Sequence, residues 1–177
     1  MNKIKEKNMK ISAKKAVRTL LSVAFVIYCV ILLYILFLSR GFRTHYPYFQ
    51  YFKFFTNFVP FKTIVEYINI FGKGFQFLSV LNLLGNFVLF MPMGMLLPCL
   101  FKGLNHFWKV TLYVLIMVVA VEVLQFVLRA GVIDIDDVIF NLCGAMIGYG
   151  IIKIPFINKF LKRFYFIVEP KQQEVVL

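Results

Sequence analysis

The chain has 177 residues, 61% of them hydrophobic, with a mean hydropathy of +0.82. Soluble globular domains are roughly half apolar, so this balance excludes a soluble domain and indicates a polytopic membrane protein forming one compact unit. The net charge of +12 would suit a nucleic-acid partner, but most Lys and Arg residues flank the apolar runs, where they meet anionic lipid headgroups instead.

Residues 1–18 carry seven Lys or Arg, and residues 1–15 read as a basic cytoplasmic N-terminus. The first span is Ala16–Leu38, long enough to cross a ~30 Å hydrocarbon core. A secretory signal would have a shorter apolar region ending in small residues. This run ends Leu36-Phe-Leu-Ser-Arg40 and reads as a retained helix. Residues 41–74 are dense in Phe and Tyr. Aromatic rings prefer the headgroup level, so this segment predicts an interfacial loop with a short amphipathic helix near Thr63–Ile70 and Glu66 on its polar side. Phe71-Gly-Lys-Gly74 reads as a breaker. The second span, Phe75–Phe101, holds Asn82, Gly85, Asn86 and Gly94, with Pro92 predicting a kink. Residues 102–109 form a loop, with Trp108 an interfacial anchor for a third span that ends at Leu128. The fourth span is Val138–Ile154, followed by a basic cytoplasmic tail over 156–177 whose end, QQEVVL, reads as disordered.

The reading is therefore an all-α membrane protein. Four transmembrane helices span residues 16–155, with the aromatic loop between helices 1 and 2. Four spans put both termini on one side, where 14 Lys and Arg lie against 6 on the other. The positive-inside rule makes that side cytoplasmic, and the aromatic loop then faces outward.

The most informative stretch is Val121–Tyr149. It holds four of the eight acidic residues, Glu122, Asp134, Asp136 and Asp137. Glu122, Gln125 and Arg129 share one helical face, and Asp137, Asn141, Gly144 and Gly148 share another. Two helices folded back on each other across a polar turn are predicted. Glu122 falls roughly 21 Å along its helix from Trp108, at the depth of Asn82 and Asn86. Polar residues can be simple inter-helix glue, but this convergence favours an outward-facing site. Asn82, Asn86, Glu122, Gln125, Arg129, Asp136, Asp137 and Asn141 are its candidate ligand-binding residues, capped by Phe58, Pro60 and Phe61.

Hard-metal binding by the four carboxylates is disfavoured, because Asp134-Ile-Asp-Asp137 lacks an EF-hand pattern. Cys29, Cys99 and Cys143 form no CxxC and read as small buried hydrophobes, giving no zinc site or disulfide framework. No nucleophile–base pairing is visible. No catalytic residue, metal or cofactor is therefore assigned. The alternative is a membrane enzyme that modifies a lipid-linked envelope molecule through Glu122 and Asp137.

Four pieces in order resemble the VanZ-like family of small bacterial membrane proteins. They are Asn57-Phe-Val-Pro-Phe61; Asn82-Leu-Leu-Gly-Asn86 with Phe90-Met-Pro-Met-Gly94; Glu122-Val-Leu-Gln125; and Arg129 through Asp136-Asp137, Asn141 and Gly144. The resemblance covers about residues 16–155. It implies a protein of the bacterial cell membrane that lowers sensitivity to glycopeptide and lipoglycopeptide antibiotics such as teicoplanin. Implied partners are membrane lipids, a lipid-linked cell-wall precursor or the glycopeptide itself, and no nucleic acid.

Overall fold

A computed structural model describes residues 2–38, 41–42, 45–70 and 77–164. The element order is α1 (Asn2–Leu33) with a π-helical turn (Tyr34–Leu38), α2 (Tyr48–Phe54), β1 (Thr56–Asn57), α3 (Lys62–Ile70), α4 (Phe77–Leu100), α5 (Phe107–Leu128), β2 (Ile133–Asp134), α6 (Ile135–Lys153) and α7 (Pro155–Phe164). The breaker at 71–74 and the end of the tail at 165–177 lie outside the described residues.

Among the described residues, three helical stretches are long and apolar enough to cross a membrane: Lys14–Leu38, Phe107–Leu128 and Ile135–Lys153. Helix α4 contributes a shorter apolar stretch, Leu84–Leu100. Helix α1 differs from expectation at its start. The basic residues before Ala16 continue the same helix, because no Gly or Pro occurs before Gly41 and Lys, Glu and Met favour helix.

Helices α4 and α6 form the centre of the molecule. Their contact is backbone on backbone. A Cβ added at Gly94 would overlap the Ala145 carbonyl, one at Gly144 the Phe87 carbonyl, and one at Gly148 the Met91 carbonyl. Gly144-Ala-Met-Ile-Gly148 is thus a small-xxx-small stripe, which lets apolar helices approach without a side chain between them. The order of the contacts shows that α4 and α6 run parallel. Helix α5 returns between them in sequence and packs on α6, with Val110, Val114 and Val118 fully buried in the core. Phe90, Met93 and Leu97 of α4 complete the core with Leu32 and Leu36 of α1. Pro92 and Pro98 stand inside α4. The Tyr28 hydroxyl donates to the Leu89 carbonyl at 2.7 Å, three residues before Pro92. A neighbouring helix thus supplies a donor beside the proline that removes one.

At one end of the bundle, the aromatic segment and the α5–α6 turn are stitched together. Thr56 and Asn57 pair in parallel with Ile133 and Asp134. The Ile133 N–H donates to Phe55 O at 2.9 Å. An all-helical reading misses this two-residue ladder because its strands are 77 positions apart in the chain. At the other end, Tyr149 Oη and Lys153 Nζ donate to the Asn105 carbonyl at 2.9 and 3.2 Å. Residues expected to be tail form α7. Ile154 has ψ 130° because a residue before proline avoids helical geometry. Pro155 then starts the new helix, the position where its missing N–H matters least.

Candidate functional site

The site is built where the aromatic segment meets the start of α6. Asp134 is the N-cap of α6, its Oδ1 accepting the Asp136 N–H at 2.9 Å. Such a cap contributes about 1 kcal/mol. The same Oδ1 accepts Asn57 Nδ2 at 3.0 Å, and Oδ2 accepts the Thr63 hydroxyl. Asn57 Oδ1 in turn accepts the Val59 N–H at 3.2 Å, which closes the turn through Pro60.

Asp136 is fully buried. Its Oδ1 accepts the Phe61 N–H at 2.6 Å and its Oδ2 the Thr63 N–H at 3.0 Å. These donors sit at the start of α3, where a helix leaves its first N–H groups without internal partners. Asp136 therefore caps α3 from another part of the chain. Phe61 takes φ +63°, a left-handed conformation costing an aromatic residue about 1–3 kcal/mol. The bond to Asp136 offsets that strain, since hydrogen bonds to charged groups are worth about 1.5–3 kcal/mol net.

Helix α5 ends in a Schellman arrangement. Ala130 N–H donates to Gln125 O at 2.8 Å and Arg129 N–H to Phe126 O at 3.1 Å. Arg129 occupies the left-handed position, φ 52°, where glycine is usual. Its guanidinium is turned to the aromatic segment. Nη1 donates to Tyr46 O at 2.9 Å, and the group lies 4.6 Å from the centre of the Tyr48 ring. The Tyr48 and Tyr51 hydroxyls donate to Val127 O and Gly131 O, at 3.0 and 2.9 Å. Gln125 is directed to α1 instead. Its Nε2 donates to Leu36 O at 2.9 Å, inside the π-helical turn.

Asn86, Asn141 and Asp137 form the polar layer between α4 and α6. All three are buried. The Phe87–Gly144 contact sets the register, so Asn86 stands level with Asn141, and Asp137 lies one turn nearer the aromatic segment. Asn82 lies on α4 one turn before Asn86, and its side chain is outside the described residues. Among the described residues, Gln125 Oε1 and Asn141 Oδ1 accept no hydrogen bond.

A cavity of about 320 Å³ opens beside this layer. Val119, Val123 and Phe126 of α5 form one wall, and Ile133, Ile135 and Val138 the other. Phe52 and Phe58 close it from the aromatic segment, and Glu122 and Asp134 border it through their carbon atoms, its exposed surface being wholly apolar. Glu122 is 7% exposed.

Seven of the eight sequence-derived residues therefore divide, the side chain of the eighth, Asn82, lying outside the described residues. Glu122 borders the cavity through its carbon atoms, and Asn86, Asp137 and Asn141 lie in the inter-helix layer. Gln125 ties α5 to α1, Arg129 ties the turn to Tyr46 and Tyr48, and Asp136 holds α3. Of the three residues expected as a cap, Phe58 lines the cavity and Phe61 binds Asp136 through its backbone. Sequence reasoning missed Thr63, Tyr51 and the Leu36 carbonyl. Thr63 reads as a local helix-start residue, and nothing local marks its bond to Asp134, 71 positions away. No group of three or more His, Cys, Asp or Glu that could hold a metal ion occurs among the described residues.

Comparison with known proteins follows the same segment. A protein-family model described as VanZ/LLP1 matches residues 25–158. Protein VanZ of Enterococcus faecium is 34% identical over 67 residues, covering 38% of this chain and 41% of that protein. The match thus spans less than half of that relative's length. No solved structure matches the chain.

Proposed function

Because the chain belongs to the VanZ/LLP1 family, we propose that it is a membrane protein of the teicoplanin-resistance type. In this reading it lowers sensitivity to glycopeptides by binding an outer-leaflet or cell-wall ligand at the end of the bundle where the aromatic segment lies. Both termini are cytoplasmic, α4 is a fourth span, and that end faces outward. The charge asymmetry of the sequence supports the orientation.

One observation carries the proposal. A packed bundle needs no loop pinned to its end, yet Asp134 and Asp136 hold residues 57–63 over the mouth of a cavity bordered in part by Glu122. Two left-handed non-glycine residues, Phe61 and Arg129, occur in this same region. Strain of this kind persists where surrounding structure over-determines it, and it clusters at binding sites.

The test is deletion and controlled expression of the gene, with growth measured against teicoplanin and vancomycin. Expression is expected to raise the teicoplanin concentration that stops growth, with a smaller change for vancomycin. Unchanged sensitivity to both drugs in both strains would contradict the proposal.

A further inference from the structure

Only Ile154 separates α7 from the last span, and the residues of α7 are sorted by side. Phe156, Ile157, Phe160, Leu161 and Phe164 occupy helical positions within an arc of about 140°. Asn158, Lys159, Lys162 and Arg163 occupy the opposite arc. This is the pattern of a helix with one apolar face. Ile157 and Leu161 are half-buried, whereas Phe156 is 81% and Phe160 58% exposed. Ile154 is extended, with ψ 130°, so α7 leaves the axis of α6 instead of prolonging it.

The position of α7 identifies what covers that face. Tyr149 and Lys153, near the end of α6, donate to Asn105 in the loop between α4 and α5. The Tyr149 ring meets Phe107, and Phe107 meets Trp108, which is 77% exposed. An exposed Trp where spans end belongs at the headgroup level. The basic start of α1 lies at this end too. Phe25 meets Phe101 here, and the Leu36 carbonyl accepts from Gln125 near the other end. Charge is segregated in the same way. From Val138 to Phe164 the charged residues are Lys153, Lys159, Lys162 and Arg163, while Asp134, Asp136 and Asp137 lie at the opposite end of α6. Helix α1 adds Lys15 and Arg18, both exposed. An apolar face with a cationic back, level with the headgroups, is complementary to an anionic lipid surface.

We propose that α7 lies in the plane of the membrane at the end of the bundle away from the aromatic segment. Phe156 and Phe160 insert among the acyl chains, and Lys159, Lys162 and Arg163 meet anionic headgroups. Helix α6 has 19 residues and spans roughly 28 Å, so an anchor at its end also sets the depth of its acidic start. The inference rests on the membrane reading of the chain and is independent of drug protection, which its test does not measure.

The full-length protein is studied with one copy per lipid nanodisc. Trp108→Phe combined with Phe156→Trp moves the chain's single Trp to the exposed position 156. The discs hold phosphatidylcholine alone or with about a third phosphatidylglycerol, in each case with brominated acyl chains as a quencher from the lipid side. Iodide is the quencher from water. In anionic discs the Trp at position 156 is expected to be quenched by the brominated chains and shielded from iodide. In phosphatidylcholine alone the shielding should weaken. Lys159→Glu, Lys162→Glu and Arg163→Glu together should lower the shielding in anionic discs to the phosphatidylcholine level. Free access of iodide to position 156 in both discs would overturn the insertion. Equal shielding in both discs, unchanged by the three charge reversals, would overturn the role of the headgroups. Shielding that arises only when two copies share a disc would assign the face to a second copy and overturn the proposal.

Discussion

Asp136 shows how one side chain can organise a whole segment. Its two oxygens hold backbone donors 75 and 73 positions away, at Phe61 and Thr63. Replacing it by Ala leaves both donors to find water and removes the offset to the strained Phe61. With about 1.5–3 kcal/mol per charged hydrogen bond, Asp136→Ala is expected to lower the melting temperature of the purified protein. It should also speed thiol labelling of a cysteine placed at Val59. Unchanged melting and labelling would show that the segment is held by other contacts. From the sequence, Asp136 was legible as special, since carboxylates are rare beside apolar runs. Its role as a cap in trans was not, because local spacing carries no information about a helix that starts over 70 residues earlier. The partner of Gln125 was not legible for the same reason, being a backbone carbonyl of the π-helical turn.

Among the elements, the α4–α6 contact has the least room for change. Helix periodicity in the sequence placed Asn141, Gly144 and Gly148 on one face, and the structure puts that face against α4. The limits of α4, α5 and α6 were also legible, since runs of apolar residues end where polar or breaking residues must leave the hydrocarbon, whereas the start of α1 was not. What remained hidden was which backbone each glycine meets, because an absent side chain names no partner. Gly144→Leu and Gly148→Leu are expected to destabilise by the upper end of the about 1–3 kcal/mol typical of overpacking, or more, and to reduce the folded fraction on gel filtration. Gly150 meets open space, so Gly150→Ala should be neutral or gain the about 0.5–1 kcal/mol expected on replacing a helical glycine. Equal behaviour of Gly144→Leu and Gly150→Ala would refute the close approach. Helix α7 was missed because a short basic run after the last span reads as tail, although Pro155 is a recognisable helix-start residue.

For the whole molecule, topology decides which end of the bundle meets the envelope. A reporter fused after Leu177 is expected to be active in the cytoplasm. In a background with Cys29, Cys99 and Cys143 replaced, a cysteine at the exposed Phe49 should react with an impermeant thiol reagent applied to intact cells. Protection at that position together with an external C-terminus would invert the orientation and move the cavity to the cytoplasmic leaflet. Composition alone identified the membrane class, because 61% apolar residues cannot be covered by the polar surface of one small domain. The stitching of the aromatic segment to the α5–α6 turn came only from the structure.

The central claim is that protection depends on the carboxyl group of Glu122, buried beside the cavity near the end of α5. Glu122→Gln preserves shape, removes the charge and replaces one acceptor oxygen by an amide donor. The decisive measurement is teicoplanin sensitivity of cells expressing wild type or Glu122→Gln at protein levels matched by immunoblot. Normal membrane expression with loss of protection is the expected result. Full protection by Glu122→Gln at matched expression would contradict the account.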